Sequence, residues 1–122
     1  LGPSEVYRQS WSRMYEDYIS GRCDGLFFNA PAVILVAGDE GNRYAEIDGG
    51  IAASRMEIEA NALGLGVCYI GFLNTAMEFD SRIKELAGLK EGQKLTVAFV
   101  IGYPDVEYQR PVPRKPADVR RL

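Results

Sequence analysis

Fourteen basic and seventeen acidic side chains, two cysteines and no histidine bound the chemistry open to this 122-residue chain. Without histidine the commonest general base is missing, and a Ser/His/Asp triad cannot be assembled. Cys23 and Cys68 alone make neither a zinc site nor a disulfide framework, so metal chemistry is set aside. Cys68 stands in VCYIGF among apolar neighbours and reads as a buried structural thiol rather than a nucleophile. Asp48, Glu57 and Glu59 are candidates for a carboxylate site, but charges on one side of an otherwise apolar helix read more simply as a solvated edge. No Gly-x-Gly-x-x-Gly or Gly-x-x-x-x-Gly-Lys-Ser/Thr pattern occurs. The glycines of GLGVCYIG close a helix, whereas a dinucleotide fingerprint needs them to open one. An enzyme built on this chain must therefore take its chemistry from a bound cofactor.

At 122 residues and 47% hydrophobic, the chain reads as one domain spanning residues 1–122 with a real core. No apolar run approaches the roughly 18 residues of a membrane helix and no secretory signal pattern opens it, so a cytoplasmic location and no membrane partner are expected. The net charge of −3 hides an asymmetry. Residues 107–122 carry five basic and two acidic side chains, while the remainder carries nine and fifteen. Nucleic acid would want a broad basic face on the body, which is missing. An anionic small molecule or an acidic partner needs only the local basic cluster.

The elements that must position any site are read as follows. Ser4 caps a first helix that Gly21 ends, with Tyr7, Trp11, Met14 or Tyr15, and Tyr18 in a stripe that is either core or a ligand platform. AVILVAG, residues 32–38, is apolar on both faces, as an interior strand should be. Asp48 starts a small-residue helix that is apolar nearly all round and so expected to be buried, in the fold or against a partner chain; Gly64 stops it, and VCYIGF follows as a strand. A Thr75-x-x-Glu78 capping box opens a further helix that Gly88 ends. KLTVAFVIGYP reads as a second strand apolar on both faces. From Asp105 the proline-rich, basic chain should run extended over a surface provided by this chain or a second copy. The class is α+β, with α/β-like alternation of helices and a mostly covered sheet.

FFNAPAVILVAGDE, DGGIAASRMEIEANALGLGVCYIGFL, LAGLKEGQKLTVAFVIGYP and RPVPRKP follow one another in unbroken order over residues 27–116. This series resembles the second half of the nitroreductase family, whose members are FMN-dependent and form intertwined homodimers. The resemblance implies a nitroreductase-like sheet with flanking helices and an extended C-terminal arm, incomplete at the N-terminus. It implies backbone amides at Ile70 and Gly71 near N5 of the flavin ring and Tyr69 lining the same pocket. Arg114 and Lys115 match the phosphate-binding position, with Arg110 in reserve. A basic tail that merely aids solubility is the plainer alternative. The implied activity takes hydride from NADH or NADPH and reduces nitroaromatics, quinones or related small-molecule acceptors, in a homodimer. The family's R-R-S-x-R block, which holds the flavin's phosphate and ribityl chain, has no counterpart. The chain reads as beginning partway through the usual domain, and a cofactor-free dimerising structural or regulatory remnant is the alternative function.

Overall fold

The computed structural model describes residues 5–107, 109–110 and 112–120, with side chains from residue 8 onward. Its elements are α1 (Glu5–Ile19), β1 (Ala32–Asp39), α2 (Ala45–Ala62), β2 (Gly66–Tyr69), α3 (Gly71–Phe79), α4 (Ser81–Leu86) and β3 (Gln93–Gly102). The three strands form one antiparallel sheet in the order β1-β3-β2. The helix and strand content is that of the expected α+β class.

β3 is central, and Ala98, Phe99 and Val100 along it are almost fully buried. Successive side chains of a strand face opposite ways. Ala98 and Val100 join Ile70, Leu73 and Met77 of the β2–α3 segment in the principal core, while Phe99 supports the ring of Tyr69. A bulge interrupts the β1–β3 register at Val36 and Ala37, which pair with Val97 and Leu95. Thr96 is left over, so its polar groups need partners. Its Oγ1 donates to Val36 O at 2.7 Å, and its own carbonyl accepts from Asn74 Nδ2 of α3 at 3.0 Å. The same residue fixes α2: a Cβ built on Gly49 would lie 2.6 Å from Thr96 Cβ, so only glycine lets the helix approach so closely.

Several expectations need correction. β1 is an edge strand of the described sheet, with Val33 exposed. Its apolar composition is real, but it cannot reveal which of two apolar strands takes the middle. α2 starts three residues before Asp48: Asn42 Oδ1 accepts from Tyr44 N at 2.9 Å in the turn that leads into it, and Asp48 lies within the helix. Only its small residues Ala45, Gly49, Ala53 and Ala60 are buried, whereas Ile47, Ile51, Ile58 and Leu63 are exposed. The helix is therefore covered on one face within this chain.

β2 stops at Tyr69, and Ile70 turns the chain into α3, so Thr75 is a helix-interior residue whose hydroxyl donates to Gly71 O rather than a cap. The single helix expected before Gly88 is two, broken where Asp80 adopts extended backbone and its carboxylate caps α4 through Arg82 N at 3.0 Å. Cys68 is exposed, not buried, because β2 is itself an edge strand. The expected Ser4 cap lies outside the described residues, as does the side chain of Tyr7.

Candidate functional site at the end of strand β2

Tyr69, Ile70 and Gly71 sit where β2 gives way to α3, and they play three different parts. Ile70 is 3% exposed, and its N–H donates to Ala98 O at 2.8 Å, so that amide is already committed to the sheet. Gly71 opens α3, and a first-turn N–H has no acceptor within its own helix. A Cβ built on Gly71 meets nothing within 4 Å, so the space a side chain would take there is open. Of the two amides the sequence singles out, that of Ile70 is committed and that of Gly71 has no partner among the described residues.

Tyr69 is 45% exposed and tilts its ring against Phe99 with centroids 5.7 Å apart. Its hydroxyl donates to Glu57 Oε2 of α2 at 2.8 Å. Partial burial first, and then this bond to a carboxylate, raise the phenol above its ordinary range, since both disfavour phenolate. Sequence reasoning left Glu57 as a solvated edge. A signal was present in the chain geometry: β2 doubles back along α2 after the Gly64 turn. The five helical steps from Glu57 to Ala62 span about 7.5 Å, and the three strand steps from Gly66 to Tyr69 span about 10 Å. Such lengths bring the two side chains level.

The described part of the α1 aromatic stripe is partly buried at Trp11 and Met14 and otherwise exposed. Tyr15 and Tyr18 are exposed, and with Trp11 and Met14 they line an apolar cavity of about 390 Å³ closed by Leu26, Phe27, Phe72 and Ala76. Phe72, the residue after Gly71, joins this cavity to the β2–α3 turn. The connection carrying Leu26 and Phe27 is fixed by Asp24, whose Oδ1 accepts from both their amides.

Arg110, Arg114 and Lys115 lie in the exposed, irregular chain after β3. Among the described residues, no hydrogen bond or ion pair joins them to the β2–α3 turn. No cluster of three or more metal-ligating side chains occurs among the described residues, and no helix there is long and apolar enough to cross a membrane. An open position at Gly71, whose amide has no partner among the described residues, two residues after a half-exposed tyrosine, leaves room for the edge of a flat, polar-rimmed ring system such as a flavin.

The family model "Nitroreductase family" matches residues 5–103. Among solved structures, the chain is similar to an FMN-bound nitroreductase from Bacteroides fragilis, with 21% identity and TM-score 0.69, over 80% of this chain and 54% of that one. It is similar to an FMN-bound nitroreductase from Desulfitobacterium hafniense, with 23% identity and TM-score 0.69, over 98% and 63%. An FMN-dependent nitroreductase from Clostridium difficile shares 32% identity with TM-score 0.59, over 69% and 51%. The chain thus spans between 51% and 63% of the length of these three structures. No curated protein matches its sequence significantly.

Proposed function

This chain belongs to the nitroreductase family, and we propose that it serves as an FMN-dependent oxidoreductase, a cytoplasmic homodimer that takes hydride from NADH or NADPH and reduces nitroaromatic, quinone or related small molecules. FMN, when bound, supplies the hydride-accepting and electron-donating chemistry that the side chains lack. The chain's own part is to bind, orient and stabilise. The Gly71 N–H would offer a hydrogen bond to the polar edge of the ring and so favour negative charge there, an electrostatic role needing no ionisable side chain. Tyr69 forms a wall beside it. Arg114 and Lys115, with Arg110, hold the phosphate, guanidinium being suited to two parallel bonds to such a group.

What supports the dimer reading is α2, whose outward Ile47, Ile51 and Ile58 recur at helical spacing and are each more than half exposed. A second copy would cover them.

The observation that carries this reading is the unobstructed Gly71 backbone at the start of α3, next to Tyr69. One further observation favours the alternative of a cofactor-free dimerising module: the basic arm makes no hydrogen bond or ion pair with the body among the described residues. Anaerobic addition of NADH or NADPH to FMN-loaded protein separates the two. Bleaching of the oxidised flavin band at a rate well above that of free FMN supports the oxidoreductase. A band that bleaches no faster than free FMN supports the cofactor-free module.

A further inference from the structure

Three side chains from separate elements meet at the β2–α3 turn: Glu57 of α2, Tyr69 of β2 and Phe99 of β3. Phe99 is fully buried and backs the Tyr69 ring at 5.7 Å between centroids. Glu57 is half-buried on a helix locked to the sheet by the Gly49–Thr96 contact, and it fixes the phenol oxygen at 2.8 Å. A half-exposed tyrosine on an edge strand would otherwise rotate freely about its side-chain bonds. Ordering such a side chain at the moment of binding lowers affinity.

We propose that Glu57 is a positioning residue for the cofactor site: by accepting a hydrogen bond from the Tyr69 hydroxyl it holds the ring in one place, two residues before Gly71, and leaves the phenol oxygen as an acceptor only toward a ligand that reaches it. A tyrosine hydroxyl has one proton to give, and here Glu57 takes it. The oxygen that remains can accept but not donate. The group it suits is a hydroxyl or ring N–H donor on the ligand, such as a ribityl hydroxyl, and not a carbonyl or phosphate oxygen. The inference rests on the flavin reading above and extends it to a residue that the sequence places only on a charged edge.

The test is a series of three variants, Glu57→Ala, Glu57→Gln and Tyr69→Phe, read in two ways. The first uses flavin-free protein carrying 13C-labelled tyrosine, in which the Tyr69 ring signal is followed by NMR through its alkaline titration. The second measures FMN affinity by quenching of flavin fluorescence. Glu57→Ala is expected to move the Tyr69 titration to lower pH and to weaken FMN binding about fivefold, in line with one lost hydrogen bond and a freed ring. Glu57→Gln, which keeps an acceptor oxygen, should restore most of the affinity, and Tyr69→Phe should resemble Glu57→Ala. A merely structural glutamate would show no such rescue.

The proposal is overturned if the Tyr69 titration is the same in Glu57→Ala and the parent, since the pair then does not exist. It is overturned equally if the titration moves while all four proteins bind FMN alike. If the parent itself binds no FMN, the flavin reading fails and takes this inference with it. The NMR titration then still shows whether the pair forms, which keeps the two failures distinct.

Discussion

An alanine at Gly71 separates stability from binding. Because a Cβ there meets no protein atom, and alanine is a better helix residue than glycine, Gly71→Ala should melt at the same temperature as the parent or slightly above. The added methyl would stand where the ring edge approaches, so FMN affinity should fall by about tenfold, equivalent to roughly 1.4 kcal/mol. Thermal melting and flavin titration on one sample check both halves. Tyr69 gives a second prediction. Its phenol is held above the ordinary value of 10.0 by partial burial and then by Glu57. The stabilisation this represents is fully present below that ordinary value and is lost as pH rises through the folded-state value. The alkaline limb of a stability curve should therefore be less steep in Tyr69→Phe. At this scale the sequence proposes the Tyr69–Gly71 stretch but does not reveal that the Ile70 amide is committed to Ala98 O while that of Gly71 has no partner among the described residues. That difference depends on where β2 ends, which hydrogen bonding to Ala98 decides and local composition does not. The exposure of Cys68 was hidden for a related reason. An apolar tetrapeptide looks the same at the edge of a sheet and in its middle.

Among the elements, α2 and β3 meet through a glycine and a bulge, and this contact carries the packing of one face of the sheet. Gly49→Ala would force the new methyl into Thr96, the residue whose hydroxyl bridges the bulge to Val36 O. Overpacking of this kind costs about 1–3 kcal/mol. A lower melting temperature with unchanged helix content by circular dichroism is the expected result, and unchanged stability would mean that the helix sits farther from the sheet. The helix–strand order was legible because glycines at Gly64 and Gly88 stop helices where left-handed backbone is needed, with φ of 78° and 75°. Boundaries were less so. Asp80 breaks the run after Gly71 into two helices by capping the second, a role that a stronger-looking Thr75-x-x-Glu78 pattern masked. That pattern lies inside α3, where Thr75 bonds back to the preceding turn instead.

For the whole molecule, the small residues and isoleucines of α2 divide between two faces. The sequence shows the helix as greasy all round, and only the fold reveals that its isoleucines point away from the sheet. Burying one isoleucine against a second copy is worth about 1.5–3 kcal/mol. Ile51→Glu should therefore weaken self-association by more than tenfold, visible as a shift toward monomer in light scattering at micromolar concentration. A parent protein that is already monomeric there would contradict the dimer. The described cations of the basic arm, Arg110, Arg114, Lys115 and Arg120, are exposed and have no ion-pair partner on the body among the described residues, which fits a segment that could engage a phosphate or a neighbouring subunit.

The most direct measurement is titration of FMN into flavin-free protein, followed by the loss of flavin fluorescence. Saturable quenching at one FMN per chain, weakened in Arg114→Ala and in Gly71→Ala, is what a flavin site built on the β2–α3 turn and the basic arm requires. Flavin emission that stays proportional to added FMN, with no break up to several equivalents, would contradict it.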